Sequence, residues 1–292
     1  MRILRLCLLL CLLAGWAFAQ DNKPDAVGPK QVKLAKNLGT LDLPKGFGFY
    51  DQARARSIME AQSGGKRDDV IGFIIPMDEK AEFAILLEYE ETGYVKDDDA
   101  GKIDAKKILE SYQEGTEAQN EERKKLGREA IHVTGWEQEP KYESKSHIVT
   151  WSLQGETDKK EPFVNFNTRL LTRRGVLSFN LMCDNKGLAV AREQSSAVLK
   201  GIAFAQGERY EDFKEGDKVS TLGLVGLIAG GALLAKKTGL IAMVFMLFKP
   251  LILLLKAGGA KLIGLVVVVL GSLGSSLLSK KKSAEEPPPP SE

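Results

Sequence analysis

A chain of 292 residues in which 41 Lys and Arg stand against 39 Asp and Glu carries almost no net charge, and 43% of its residues are hydrophobic. That balance excludes a wholly disordered chain and supplies no basic excess for binding nucleic acid. Two of its three cysteines, Cys7 and Cys11, lie in an N-terminal apolar run, so the body of the chain holds only Cys183 and no internal disulfide.

Arg2 and Arg5 precede a Leu-rich core, Leu6–Leu13, and Ala17-Phe18-Ala19 places small residues where a signal peptidase needs them. The expectation is a signal peptide over residues 1–19, because about a dozen apolar residues fall short of the roughly 20 that span hydrocarbon. An extracytoplasmic domain over residues 20–218 follows, with 31 basic and 36 acidic residues. This mildly acidic balance again points away from nucleic acid.

Within that domain, Leu41-Asp42-Leu43-Pro44 and Gly46-Phe47-Gly48-Phe49 read as strand, turn and strand. A helix is predicted at Gln52–Gln62, stopped by Ser63-Gly64-Gly65, and the apolar run Val70–Ile75 reads as a buried strand closed by Pro76. Phe83, Ile85, Leu87 and Tyr89 alternate with Glu82, Ala84, Leu86, Glu88 and Glu90, which predicts a strand with one face strongly buried. The acidic loop from Gly93 to Ala100 then leads to a helix near Asp104–Leu126, with Asp104 as N-cap and Ile108, Leu109, Tyr112 and Thr116 on its inner stripe.

Strand patterns dominate the second half: Ala130–Trp136, His147–Leu153, Phe163–Leu171 and Val176–Cys183. Val149, Trp151 and Leu153, then Val164, Phe166 and Leu170, then Leu177, Phe179 and Leu181 each share one face of their strand. Arg173-Arg174-Gly175 supplies a turn, so the fold class is α+β: an antiparallel β-meander, with a helix near Gly187–Lys200 covering its apolar face.

The last quarter, residues 219–279, reads as a helical transmembrane region of three apolar segments, Val219–Ala235, Gly239–Leu255 and Leu262–Leu278. If the Lys280-Lys281-Lys282 cluster stays inside, the crossings are odd in number; three is the leading expectation, with one or two as alternatives. The first segment is diluted by Gly223, Gly226, Gly230 and Gly231, and lying along the interface is its other reading. The G-x-x-x-G spacing of Gly226 and Gly230 allows a homo-oligomer through close helix contact. No Asp, Glu or His falls in the region, so it reads as an anchor and not as an ion pathway. Residues 280–292 form a Lys-rich and then Pro-rich tail.

The sharpest binding candidate is the row Asn165, Asn167 and Arg169, with Arg173 and Arg174 at its end. Amides and guanidinium groups in a row can read a carboxylate, phosphate or sugar, and the same pattern also describes an ordinary solvated sheet face. Asp97, Asp98 and Asp99, beside Tyr94, could supply paired carboxylates, although the loop lacks the spacing of a Ca²⁺ site and also reads as an exposed turn before a helix. His132 and His147 have no cysteine nearby to make a structural zinc site, and Cys183 falls on an apolar strand face. The sequence calls for no metal and no cofactor.

Several strings occur in a characteristic order: the loop Gly93-Tyr94-Val95-Lys96-Asp97-Asp98-Asp99-Ala100; the element from Asn120 to Gly127; Gly135-Trp136 with Pro140 and Tyr142; Thr150-Trp151; Val164-Asn165-Phe166-Asn167-Thr168-Arg169; and Tyr210 with Asp212-Phe213. Together they resemble the bacterial family of membrane-anchored envelope proteins called domain of unknown function 2167, over roughly Pro29 to Lys282. Phe166 departs from it where a tyrosine is expected. The resemblance implies a periplasm-facing protein held in the inner membrane of a Gram-negative bacterium, and it implies no activity. The expected function is a membrane-anchored binding or scaffolding module whose partners are the lipid bilayer and an envelope protein or anionic ligand. The alternative is an envelope hydrolase or transferase built on Asp97–Asp99.

Overall fold

Two opposite requirements shape the main sheet: apolar alternation on its central strands demands a cover on one face, and the phase of its neighbouring strands demands a cover on the other. The computed structural model describes residues 23–63, 66–125, 129–183 and 187–229. The expected signal peptide, most of the expected transmembrane region and the tail lie outside these residues. All the elements below fall in a single compact unit.

The strands are β1 (Ala26–Val27), β2 (Lys30–Leu34), β3 (Gly39–Leu43), β4 (Phe47–Tyr50), β5 (Val70–Pro76), β6 (Phe83–Glu90), β7 (Ile131–Glu143), β8 (Ile148–Thr157), β9 (Pro162–Leu171), β10 (Val176–Cys183) and β11 (Ile202–Phe204). Helices α1 (Gln52–Ser63), α2 (Ala105–Lys125) and α3 (Leu188–Lys200) lie between them. An eight-stranded sheet runs β1-β4-β5-β6-β10-β9-β8-β7, and β11-β3-β2 form a second sheet. Every strand pairing is antiparallel. The α+β class and the meander β7 to β10 therefore match the pattern read from the chain. Asp104 caps α2 by accepting the Lys107 N–H at 3.1 Å, as its position predicts.

One face of the large sheet buries Phe83, Ile85, Leu87 and Tyr89 of β6 with Leu177, Phe179, Leu181 and Cys183 of β10. The cover is α3, through Ala191 and Val198, together with the small sheet, through Leu34, Leu41 and Leu43. The small sheet is absent from the sequence expectation because Lys30–Leu34 and Ile202–Phe204 are short, and the former is broken by lysines.

The other face departs from a single-cover picture. Ladder pairing sets Trp151 opposite Asn167, Val149 opposite Arg169 and Leu153 opposite Asn165. Directly paired residues point to the same side of a sheet, so the apolar row of β8 shares a face with the polar row of β9. That face is buried too: Val149, Trp151 and Leu153 pack under Ile108 and Tyr112 of α2, and under Leu224 and Ile228 of a helical stretch at residues 224–229. The solvated-face reading is corrected at Asn167, which is only 3% exposed, while Asn165 and Arg169 beside it are half-buried. Among the described residues, no helix is long and apolar enough to cross a membrane.

The turn joining β9 to β10 is closed by Thr172, whose hydroxyl and N–H both donate to the Gly175 carbonyl. A Cβ at Gly175 would be driven into the carbonyl oxygen of Glu90 at the end of β6, which is backbone and cannot swing away. Gly175→Ala is therefore expected to destabilise the chain by about 1–3 kcal/mol, the usual range for overpacking; the midpoint of thermal unfolding in detergent measures it, and an unchanged midpoint would refute the packing argument.

Candidate functional site

On the face shared with Trp151, a chain of polar side chains crosses three strands. Arg169 on β9 donates through Nη1 to Asn180 Oδ1 at 2.8 Å and to the Thr168 carbonyl at 3.2 Å. Its Nη2 reaches Asn167 Oδ1 at 3.4 Å, and its guanidinium carbon lies 5.1 Å from the centre of the Trp151 ring. Asn180 on β10 passes the connection on, donating to Glu88 Oε2 of β6 at 2.5 Å. The other oxygen of Glu88 accepts from Arg67, which also forks onto Asp69 at 3.0 and 2.8 Å. Asp69, Arg67, Glu88, Asn180, Arg169 and Asn167 thus form one network between the chain after α1 and the Trp151 side of the sheet.

The two arginines differ in kind. Arg67 touches two carboxylates, whereas among the described residues no carboxylate lies within ion-pair distance of Arg169. Burial pulls the Arg169 guanidinium down, and Glu88 beyond Asn180 works against that pull. Burial also pushes the Glu88 carboxyl up to about 7 in spite of Arg67. Burial acts to lower Arg67 as well, but its bond to Asp69 and the charge of Glu88 leave it raised. A row of this kind can hold an anion against Arg169 and can exchange a proton at Glu88 near neutral pH.

The acidic loop has a different setting. Tyr94 forms a parallel bridge with Val219; its N–H donates to the Lys218 carbonyl and its carbonyl accepts from the Ser220 N–H, both at 2.8 Å. Its ring is stacked between Tyr210, at 4.4 Å, and Phe213, at 4.2 Å. His147 lies 4.1 Å from the other side of Tyr210, and Tyr210 donates to the Val95 carbonyl at 2.9 Å. Asp97 accepts from the Tyr142 hydroxyl at 2.6 Å, and burial together with that bond raises the Tyr142 pKa. Asp98 is exposed. Asp99 accepts from the Leu224 and Val225 N–H groups at 2.9 and 3.1 Å, satisfying the free donors at the start of the 224–229 stretch.

Arg173 and Arg174 turn the same way. Arg173 forks onto Asp217 through Nε and Nη2, each at 2.7 Å, and this bond draws the Asp217 carboxyl down to about 2. Arg174 pairs with Glu208 at 2.9 Å. The Tyr112 hydroxyl completes the set by donating to the Ile228 carbonyl at 2.8 Å.

Of the residues singled out in the sequence, Tyr94, Asp97, Asp99, Arg173 and Arg174 therefore gather around residues 208–229 and the aromatic stack. Asn167 and Arg169 join a separate network, and Asn165 beside them is half-buried, its carbonyl accepting from Asn167 at 3.2 Å. Arg67, Glu88 and Asn180 belong to that network without having been singled out. Their trace in the sequence is slight: Ala84 and Leu86 share the face of Glu88, so that face of β6 is itself mostly apolar. His132 bonds Glu117 and Asp158 at the surface, and Cys183 is buried. Among the described residues, no group of three His, Cys, Asp or Glu is placed to hold a metal.

Removing the double acceptor by Asp99→Ala should cost about 0.5–2 kcal/mol, the range for a lost helix cap; hydrogen exchange at the Leu224 and Val225 amides reports it, and unchanged protection there would contradict the assignment. Glu88 gives a pH signature. With its folded pKa raised from 4.5 to about 7, the native state keeps a proton that the unfolded chain loses. That contribution is complete below pH 4.5 and disappears as pH rises through 7, with a slope of at most about 1.4 kcal/mol per pH unit. Denaturant titrations across this window should be flatter for Glu88→Gln than for the parent, and identical slopes would show that Glu88 is ionised throughout.

No curated protein matches the chain. The solution structure of cyanobacterial PsbP (CyanoP) from Synechocystis sp. PCC 6803 is similar over 60% of this chain and 92% of that one, at 11% identity and a TM-score of 0.36. The family described as "Protein of unknown function (DUF2167)" matches residues 26–271, and the chain belongs to that family.

Proposed function

We propose that this chain is a membrane-anchored, extracytoplasmic binding or scaffolding protein of the bacterial envelope, and that the strip containing Asn165, Asn167 and Arg169 takes an anionic ligand. One observation carries the reading: Arg169 is a largely buried cation whose direct contacts are neutral oxygens and an aromatic face. A buried charge is costly unless it is paired; Glu88 reaches Arg169 only through Asn180, and a bound carboxylate or phosphate would supply a counter-charge in direct contact. The anchor reading rests on the apolar composition of residues 230–279, beyond the 224–229 stretch that packs on the domain. The alternative, a hydrolase or transferase built on Asp97–Asp99, has less to draw on, because Asp97 and Asp99 already accept hydrogen bonds from Tyr142 and from the 224–229 stretch.

The test uses the full chain in detergent with inorganic phosphate, acetate and citrate as probes. At least one should stabilise the parent, by roughly 2.7 kcal/mol at a concentration of about 100 Kd. Arg169→Gln should lose that shift, Arg169→Lys should keep part of it, and circular dichroism should show both variants folded. A parent that responds to none of the probes, or a shift that survives in Arg169→Gln, removes the ligand assignment.

A further inference from the structure

The stretch that leads into the apolar C-terminal quarter has an outward side of its own. Six large hydrophobic residues stand exposed among the described ones, and three of them, Phe213, Val219 and Leu222, fall within this short stretch at 37%, 39% and 37% exposure. Two of them meet at Tyr94, and the third follows close by in the chain. Phe213 is stacked on Tyr94, Val219 is bridged to Tyr94, and Leu222 lies two residues before the helical stretch at 224–229 that Asp99 caps. Their backbone is tied down on both sides, by Arg173 on Asp217 and by Tyr94 between Lys218 and Ser220. These side chains are thus held outward on a fixed stretch.

What they face is indicated by the sequence that follows them. The sequence after this stretch is apolar, interrupted by lysines, as far as Ser279, and that sequence is the proposed anchor. We infer that Phe213, Val219 and Leu222 form a lipid contact, and that the surface around the Tyr94–Val219 bridge sits in the interfacial layer of the bilayer. Aromatic and aliphatic side chains are favoured at that depth. The inference rests on the proposed membrane anchor and adds which end of the domain meets the lipid.

Charge decides the kind of contact. Lys214 and Lys218 are exposed on this stretch, but so are Glu211 and Glu215, while Asp217 is held by Arg173 and Asp212 accepts from the Gly207 and Arg209 N–H groups. The outward charges cancel, so burial of apolar surface is the driving force and anionic lipid is not needed. Orientation follows from the strands. Tyr94 lies just beyond the Glu90 end of β6, and Arg173 and Arg174 lie in the β9 to β10 turn that pairs with that end. Val27 and Met77, exposed at 48% and 44%, lie toward the Phe83 end, and there no apolar run follows in the chain.

The full chain, with Cys7 and Cys11 replaced by serine, can be labelled with a fluorophore at Phe213→Cys, Val219→Cys or Leu222→Cys, with Val27→Cys and Met77→Cys as references. In phosphatidylcholine vesicles carrying nitroxide lipids, labels at the first three positions should lose most of their emission and those at the last two should keep it, with no change on adding salt. If the protein floats with the vesicles but all five labels are quenched alike, the lipid contact is wrong and the anchor stands. If it does not float, the anchor itself is wrong, and the contact falls with it. Quenching that vanishes in high salt would overturn the apolar basis of the contact.

Discussion

The rest of this structure depends on the ladder register that sets Trp151 opposite Asn167. In an antiparallel sheet, side chains alternate between faces, so the phase of one strand against the next decides which rows share a side. Here the apolar row of β8 falls on the side opposite the apolar rows of β6 and β10. Neither face can then be left to water. The small sheet and α3 close one; α2 and the 224–229 stretch close part of the other, over β8. Polar residues on β9 and β10 are enclosed as a consequence of that phase.

Enclosure explains the form of the polar network. A charge taken out of water costs several kcal/mol unless it is paired and hydrogen-bonded. Arg67 meets this condition locally, with Asp69 and Glu88 in contact. Arg169 meets it at one remove, through Asn180, whose amide accepts from the guanidinium and donates to Glu88. The Trp151 face adds a cation–π contact worth up to about 2 kcal/mol when desolvated. Two arginines thus share one carboxylate, Arg67 by direct contact and Arg169 through Asn180.

The C-terminal stretch is fastened by several interactions of unlike chemistry. A backbone bridge at Tyr94, an aromatic stack through Tyr210 and Phe213, a guanidinium fork from Arg173 and a carboxylate cap from Asp99 all converge on it. Contacts that belong to separate elements of the domain restrain both translation and rotation of the segment they hold. Leu224 and Ile228 are fully buried in the same place, so the beginning of the first apolar run packs as part of the domain. This is physically consistent with its glycine-diluted character, since a weakly hydrophobic helix gains more from a close-packed protein surface than from lipid.

Sequence alone determined the elements that rest on local periodicity. The alternation of β6, β8, β9 and β10, the stripe and cap of α2, and the turn at Gly175 are all written in spacing and residue type, and the structure places these elements within a few residues of those positions. The candidate residues were legible too, but as two separate strings, the asparagine–arginine row and the acidic loop. Only the tertiary structure decided what each string touches. Alternation states that a strand has two faces without stating which face of its neighbour it joins; that phase depends on the register of long-range ladder pairs. For the same reason Glu88, Arg67 and Asn180 could not be grouped with Arg169, being brought to it from other strands and from the chain after α1. The carboxylates of the acidic loop likewise found their partners more than forty residues away, at Tyr142 and at residues 224–225, a separation that local spacing does not encode.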